Sequence, residues 1–300
     1  MLSIVITSYD PQRKKDISDL LDSIKNQVCN NFEVVYVTER NSWLHDYVKA
    51  AIKSRDINGK VIHNTGQRGL SECRNIGIKN SEGDIVAFVD DDVILDPKWS
   101  CSVITAFKSF SEMIGATGPA YPYWVAEKAD WLPLELDWLI GCTRWFRSEV
   151  PVEVRNCWGM NMVFRREAFE RVGVFSLKTG YHRGYLAEDV EFSLRVKRLS
   201  GKKLFYLPDM KVLNKVYSYR LSTRFIITRS SWIGYSRRTI LEMAGRQELA
   251  KENSLLISLL RGLLKPDHHR LQLYGELQSV KVIILALFSL SFGYLVGPVA

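Results

Sequence analysis

The chain has 300 residues, 46% of them hydrophobic and 25% charged, with a formal net charge of +8. That balance excludes a disordered or fibrous protein and allows one large or two small domains around a sizeable core. The five cysteines, Cys29, Cys73, Cys101, Cys142 and Cys157, are odd in number and far apart, without zinc-ligand or redox-motif spacing, so reduced thiols in a cytoplasmic protein are expected.

The opening "MLSIVITSYD" lacks a basic start followed by a long apolar run, so no signal peptide is expected. Strands and helices then alternate. "LSIVIT" reads as an apolar strand, and "DISDLLDSIKNQ" as an amphipathic helix with Ile17, Leu20, Leu21 and Ile24 on one face. The strand "FEVVYVT" is followed by the helix "WLHDYVKAAIKSR", with Leu44, Val48, Ala51 and Ile52 inward. The short strand "GKVIHN", the helix "GLSECRNIGIKNS" and the strand "DIVAFVD" continue the series. Such alternation predicts an α/β fold with a parallel sheet and helices on both faces. Ligands bind such sheets at the carboxyl ends of the strands.

One strand end carries unusual charge. In "DIVAFVDDDVILDP" an apolar run leads straight into Asp90, Asp91 and Asp92, then turns apolar again. Carboxylates beside a buried run are costly unless a cation pairs with them. The simplest cation is a divalent metal, Mg²⁺ or Mn²⁺, for which carboxylate oxygens are ligands. A helix N-cap accounts for one carboxylate but not for three.

Downstream, Trp124, Trp131, Trp138 and Trp145 recur every seven residues, with Pro133 interrupting any continuous helix. They read either as an aromatic core under a long loop or as a platform for sugar rings or a lipid chain. In "YLAEDVEFSLRVKRL", Glu188 and Asp189 open a helix with Phe192, Val196 and Leu199 on one face. Acids favour helix N-termini, and the same field helps keep a carboxylate ionised, as a general base must be.

The net charge is concentrated. Residues 1–210 hold 28 basic and 28 acidic residues; 211–246 hold eight basic residues against Glu242 alone, net +7; 247–300 are net +1. Such a block suits nucleic acid, a phosphorylated ligand or an anionic membrane surface. The C-terminal residues favour the membrane over nucleic acid. Leu255, Leu256, Leu259, Leu260 and Leu263, with Arg261 and Lys265 among them, have amphipathic helical spacing. The uncharged stretch Val282 to Ala300 approaches the ~20 residues of a span and reads as membrane-embedded or else as a buried core helix, with Gly293 and Pro298 weakening it as a straight span. Basic residues precede this stretch and none come after it, which by the positive-inside rule keeps the bulk of the chain cytoplasmic. The organisation expected is an α/β domain over 1–215, a basic amphipathic membrane-interface region over 216–276 and a membrane-embedded helix over 277–300.

Four pieces taken in order, "SIVITSYD", "NTGQRGLSECRNIGIKNSEGDIVAFVDDDVILDP", "WGMNMVFRREAFERVGVF" and "LAEDVEFSLRVKRLSGKKLFYLPDMKV", resemble the family 2 glycosyltransferases with the GT-A nucleotide-sugar fold. The resemblance implies a mostly parallel central sheet flanked by helices, and makes 1–215 the catalytic domain. It implies a metal-dependent inverting transfer from a UDP- or GDP-sugar to a polyprenyl-phosphate-linked saccharide or surface glycan at the cytoplasmic membrane face. Asp90 and Asp92 match the outer positions of the family's Asp-x-Asp motif, with Asp90 near the ribose, Asp92 on the metal and Asp91 able to share either role. Thr7 and Tyr9 would line the nucleotide pocket, Arg74 would face the nucleotide, and Glu39 stands where many relatives carry a base-reading Asp. Asp189 would deprotonate the acceptor, with Glu188 in support. Trp158, Asn161, Arg237 and Arg238 would lie on the acceptor side, although the two arginines suit anionic lipid headgroups equally. Where relatives often carry a metal-binding His, this chain has Asn214. A sugar-1-phosphate nucleotidyltransferase is the alternative enzyme, but no Gly-rich phosphate loop with a lysine follows the first strand. A non-catalytic nucleotide-sugar-binding module would not need Asp189 alongside Asp90 and Asp92.

Overall fold

The computed structural model describes residues 1–125, 127–177, 187–244, 273–297 and 299. The chain divides into two units: Met1–Tyr121, Arg147–Gly184 and Glu188–Asn214 form one, and Pro122–Phe146, Tyr185–Ala187 and Lys215–Ala300 the other. The tryptophan-rich segment thus belongs with the C-terminal residues, whereas a contiguous 1–215 domain was expected. The leucines from Leu255 to Leu263, Arg261, Lys265 and Pro298 lie outside the described residues.

The first unit opens with β1 (Leu2–Ser8), α1 (Lys14–Lys25), β2 (Phe32–Glu39), α2 (Ser42–Ser54), β3 (Gly59–Asn64), α3 (Leu70–Asn80) and β4 (Ile85–Asp90). It continues with β5 (Val93–Leu95), α4 (Trp99–Ser109), β6 (Met113–Thr117) and the start of β7 (Ala120–Trp124). After the second unit's insertion come β8 (Val152–Val154), β9 (Asn161–Arg165), α5 (Arg166–Val172), α6 (Glu188–Ser200), β10 (Lys203–Tyr206) and most of β11 (Val212–Val216). An eight-stranded sheet has the order β3-β2-β1-β4-β9-β6-β10-β8. Strands β1 to β4 are parallel, as are β6 and β10. Strand β9 runs antiparallel to β4 and β6, and β8 antiparallel to β10.

Both faces of this sheet are covered, because alternate residues of each strand point to opposite faces. Leu2, Ile4 and Ile6 of β1 join Val34 and Tyr36 of β2 against Ile17, Leu20, Leu21 and Ile24 of α1 and Leu44 and Val48 of α2, all fully buried. On the other face Phe88 and Phe164 meet Phe169 of α5, Phe175 and Phe192 of α6 in edge-on and tilted pairs. Leu199, expected inward with Phe192 and Val196, lies in the last turn of α6 and is 57% exposed.

Cys29 and Cys101 form a disulfide, with Cα atoms 5.2 Å apart, which corrects the expectation of reduced thiols. The partners are 72 residues apart: Cys29 lies in the loop after α1 and Cys101 in α4, whose Ser100 hydroxyl donates to the Cys29 carbonyl at 2.8 Å. Cys73, Cys142 and Cys157 are buried.

The second unit contains α7 (Thr223–Ala244) and α8 (Leu273–Leu295). Leu136, Leu139, Ile140, Ile226, Val282 and Ala286 form its apolar cluster, and Trp124, Trp131 and Trp138 pack against it, partly buried. Those three tryptophans are therefore packing residues. Gly293 is not a weak point of the helix but its contact with α7: a Cβ there would lie 1.9 Å from the carbonyl oxygen of Ser231. Residues Leu277–Leu295 are long and apolar enough to cross a membrane by length and composition. Leu277, Ile284, Phe288 and Leu295, spaced along one side, are 66%, 56%, 72% and 70% exposed. The basic block of the sequence is not one exposed surface, since Lys215 is 1% exposed. Arg220 donates to the carbonyl of Ile140, and Arg238 pairs with Glu242.

Candidate active site

The carboxyl ends of β1 and β4 lie side by side, with Thr7 opposite Asp90 in parallel register. The three aspartates at the end of β4 and just after it are not equivalent. The Asp90 side chain is 41% exposed, whereas Asp91 and Asp92 are 6% and 3% exposed. Their cation within the chain is Arg13, at the end of the 3-10 turn Pro11–Arg13 that follows β1. Its Nη1 stands 2.6 Å from Asp91 Oδ1 and 3.1 Å from Asp92 Oδ2. Ser8 Oγ donates to Asp91 Oδ2 and lies 2.7 Å from the Tyr36 hydroxyl. Burial pushes the Asp91 carboxyl up to about 7, against the pull of Arg13. Asp91 is thus locked into the floor of the site, and Asp90 faces the open side.

Arg74, on α3, is 3% exposed. Its Nη1 is 2.7 Å from Glu188 Oε1, its Nη2 is 3.2 Å from the Gly159 carbonyl oxygen and 3.5 Å from Asp90 Oδ1. The guanidinium lies over the Phe88 and Phe175 rings, 5.9 and 5.6 Å from their centroids. The arginine expected to face the nucleotide is a buried tie between Asp90, at the end of β4, and Glu188, at the start of α6. Glu188 is 6% exposed, and burial raises its carboxyl to about 7 against the pull of Arg74. Its neighbour Asp189 is half-buried. Asp189 Oδ2 accepts from the Gly159 amide at 2.8 Å and Oδ1 from the Val190 amide at 2.8 Å, which fixes the carboxylate plane.

Gly159 sits in a tight turn closed by the Asn161 amide donating to the Trp158 carbonyl at 2.9 Å. A Cβ at Gly159 would lie 3.2 Å from Arg74 Nη2 and 3.3 Å from Asp189 Oδ2, so the glycine lets the backbone N–H and C=O of one residue serve both side chains. Trp158, partly exposed, meets Tyr206 edge-on at 6.0 Å. Asn161 does not fit the acceptor contact expected of it. It is fully buried, accepts from Trp99 Nε1 at 2.9 Å and donates to the Met210 carbonyl at 2.7 Å. Tyr9 is 68% exposed beyond β1. Glu39, at the end of β2, accepts from the Gly69 amide at 2.7 Å, just ahead of α3. Arg237 and Arg238 lie on α7, in the second unit.

Sequence reasoning missed Arg13 and Gly159. Arg13 begins the run Arg13, Lys14, Lys15, which reads as a solvated helix start. Gly159 carries no motif beyond being small. Among the described residues, no three His, Cys, Asp or Glu side chains form a metal-binding cluster. The donor chemistry still fits Mg²⁺ or Mn²⁺, because Mg²⁺ is usually held by one or two carboxylates together with substrate phosphates. Asp90 and Asp92 are the carboxylates that would be offered to such an ion, and Asn214 is buried opposite Val93, the residue after Asp92.

The glycosyl transferase family 2 model matches residues 3–173, more than half of the chain. A glucosyl-dolichyl phosphate glucuronosyltransferase from Haloferax volcanii is 28% identical over 99% of this chain and 96% of its own length. Among solved structures, a mannosyltransferase from Pyrobaculum calidifontis in complex with GDP-Man and Mn²⁺ matches with a TM-score of 0.61 at 14% identity, covering 96% of this chain and 86% of that one. S. aureus TarS 1-349 in complex with UDP matches with a TM-score of 0.53 at 17% identity, covering 98% and 88%. The two structural likenesses show the GT-A type of fold, and with the family match the chain belongs to glycosyl transferase family 2 and is a glycosyltransferase.

Proposed function

We propose that the protein is a metal-dependent, inverting glycosyltransferase that moves a sugar from a UDP- or GDP-sugar to a polyprenyl-phosphate-linked saccharide at the cytoplasmic face of a membrane. The carrying observation is the continuous chain Asp90–Arg74–Glu188 and Arg74–Gly159–Asp189, which joins strand-end Asp90 to a part-exposed carboxylate. The Haloferax relative is named for a dolichyl-phosphate-linked acceptor, and the structural neighbours hold UDP or GDP-Man. Asp90 and Asp92 would hold the ion, and Thr7, Tyr9, Glu39 and Asp91 would shape the nucleotide side. When bound, Mg²⁺ or Mn²⁺ would supply charge neutralisation for the departing diphosphate. Arg74 holds Asp90 and Glu188 in place and keeps the floor neutral. Asp189, oriented by two backbone amides, takes the proton from the acceptor hydroxyl. The freed oxygen attacks the anomeric carbon opposite the nucleotide, inverting its configuration. Trp158 offers a ring face for the acceptor sugar.

The test is incubation of full-length protein with labelled UDP- and GDP-sugars, a polyprenyl-phosphate-linked sugar, and Mn²⁺ or EDTA. A labelled lipid product formed with Mn²⁺ and lost in Asp92→Ala is expected. Equal nucleotide affinity of the wild type in Mn²⁺ and EDTA would remove the metal from this reading. A nucleotide-sugar product instead of a lipid-linked one would identify a nucleotidyltransferase.

The exposed side of α8 supports a membrane contact by its helical end, since a row of apolar residues left in water is costly. Wild-type protein is expected to stay with membranes in high salt, whereas Ile284→Lys with Phe288→Lys should be released, because those side chains project outward and leave the packed side intact. Release of the wild type by salt alone would show α8 to be a surface helix. The cytoplasmic side rests on the order of basic and apolar segments. The Cys29–Cys101 bond argues the other way, disulfides being rare in cytosolic proteins outside hyperthermophiles. Protease accessibility in sealed vesicles decides the side.

A further inference from the structure

The aspartate motif contains its own cation, and its geometry is asymmetric. Arg13 is anchored on Asp91, which is buried, hydrogen-bonded by Ser8 and backed through Ser8 by Tyr36. Its second contact, to Asp92, is longer, 3.1 Å against 2.6 Å. The Arg13 side chain keeps 24% of its surface exposed, whereas the Asp92 side chain keeps 4%. A carboxylate so buried beside two others needs a cation at all times. Arg74 does not serve here, because its contacts in this cluster run to Asp90 and Glu188.

We propose that Arg13 is the resident counter-cation of Asp92 and competes with the divalent ion for it, so that the ion binds strongly only together with the donor's diphosphate. This deepens the metal-dependent reading above and rests on it. Two cations sharing one carboxylate repel each other at close range. An ion arriving alone must displace Arg13 from Asp92 without recompense. An ion arriving with a diphosphate brings phosphate oxygens that can take up the guanidinium's fork of donors while Asp91 keeps its other side. The empty-site state then leaves no buried carboxylate unpaired, and the loaded state leaves no guanidinium unpaired. Arg13 acts through Asp92 and is a positioning residue.

The experiment is a Mn²⁺ titration monitored by electron paramagnetic resonance, on full-length wild type, Arg13→Gln and Arg13→Lys, each alone and with UDP or GDP. Wild type should bind Mn²⁺ weakly alone and much more tightly with one of the nucleotides. Arg13→Gln should bind Mn²⁺ alone at least about tenfold more tightly than wild type, because a unit positive charge beside the ligand has been removed. It should lose most of the nucleotide's enhancement. Its melting temperature should be low in EDTA and recover with Mn²⁺. Arg13→Lys, a compact point charge unable to fork, should fall between. A gain in affinity cannot come from damage to the fold, so a merely structural Arg13 would not produce it. A folded Arg13→Gln with Mn²⁺ affinity at or below wild type overturns the proposal. If that variant does not fold, Arg13→Lys decides, and wild-type affinity there overturns it equally. Should wild type take up no Mn²⁺ with either nucleotide, the metal-dependent reading fails and takes the proposal with it. Uptake by wild type with no change in the variants defeats the role of Arg13 alone.

Discussion

Replacing Asp189 by Asn should lower sugar transfer by ~10² or more while nucleotide-sugar affinity stays near wild type, the signature of a lost general base. Asp189 is the acid of this cluster suited to the task. Glu188 faces Arg74 and is 6% exposed, and Asp91 is locked under Arg13. Asp189 is half-buried, and its two oxygens each accept one backbone amide. The Asn variant carries a known side effect. Its amide oxygen can accept from Gly159 or from Val190 but not from both, and the other N–H would face an NH₂ group. An amide left without its partner costs ~1–3 kcal/mol, so some stability will fall as well. The rate loss should far exceed what the folded fraction explains, and it should persist at temperatures where the variant is fully folded. If activity instead tracks the folded fraction, Asp189 is only the N-terminal cap of α6, and the base lies elsewhere.

Much of the first unit was legible because its signals are local. The periodicity of α2 marked Leu44, Val48, Ala51 and Ile52, and all four are buried. Strand β3 spans Gly59–Asn64, the short strand read there from the sequence. The site was legible only where a motif marked it. Three aspartates in a row announce a need for positive charge, but nothing local says that Arg13 meets it across 78 residues of sequence, or that Arg74, beside Asp90, also reaches Glu188 across 114. The metal was inferred from a charge imbalance that the fold itself partly removes. Asn161 shows the converse error. Its place in a family-like piece suggested an acceptor contact, yet its amide joins Trp99 to Met210 inside the core. The tryptophans at seven-residue intervals looked periodic, but only tertiary packing tells a platform from a core. In the second unit Trp124, Trp131 and Trp138 pack against the apolar cluster that includes Val282 and Ala286 of α8.

Replacing Arg74 by Met should destabilise the protein by about 3–5 kcal/mol, the cost of leaving a buried acid without its partner. Methionine keeps much of the side chain's packing against Phe88 and Phe175, so the loss comes from charge. Two acids share that guanidinium, but they differ: Asp90 is 41% exposed and can turn to water, whereas the Glu188 side chain is 8% exposed and cannot. Adding Glu188→Gln to Arg74→Met should therefore restore most of the stability, while adding Asp90→Asn should restore little. The loss should also depend on pH. Burial already raises Glu188 from 4.5 to about 7 in the folded state. A folded acid with a raised pKa holds its proton more tightly than the unfolded chain does, so its contribution is greatest below pH ~4.5 and is lost as pH rises to about 7. Removing Arg74 takes away the main attraction that favours the ionised form and moves that window further upward. Denaturant titrations should then show a smaller deficit for Arg74→Met in mild acid, where Glu188 is neutral in both proteins, than in mild base, where the variant alone must hold a proton or bury a bare charge. In the Arg74→Met, Glu188→Gln double variant this difference should vanish. A deficit equal at both pH values and untouched by Glu188→Gln would mean that Arg74 acts by packing on its two phenylalanines, and that the tie between the aspartates and α6 carries no electrostatic weight.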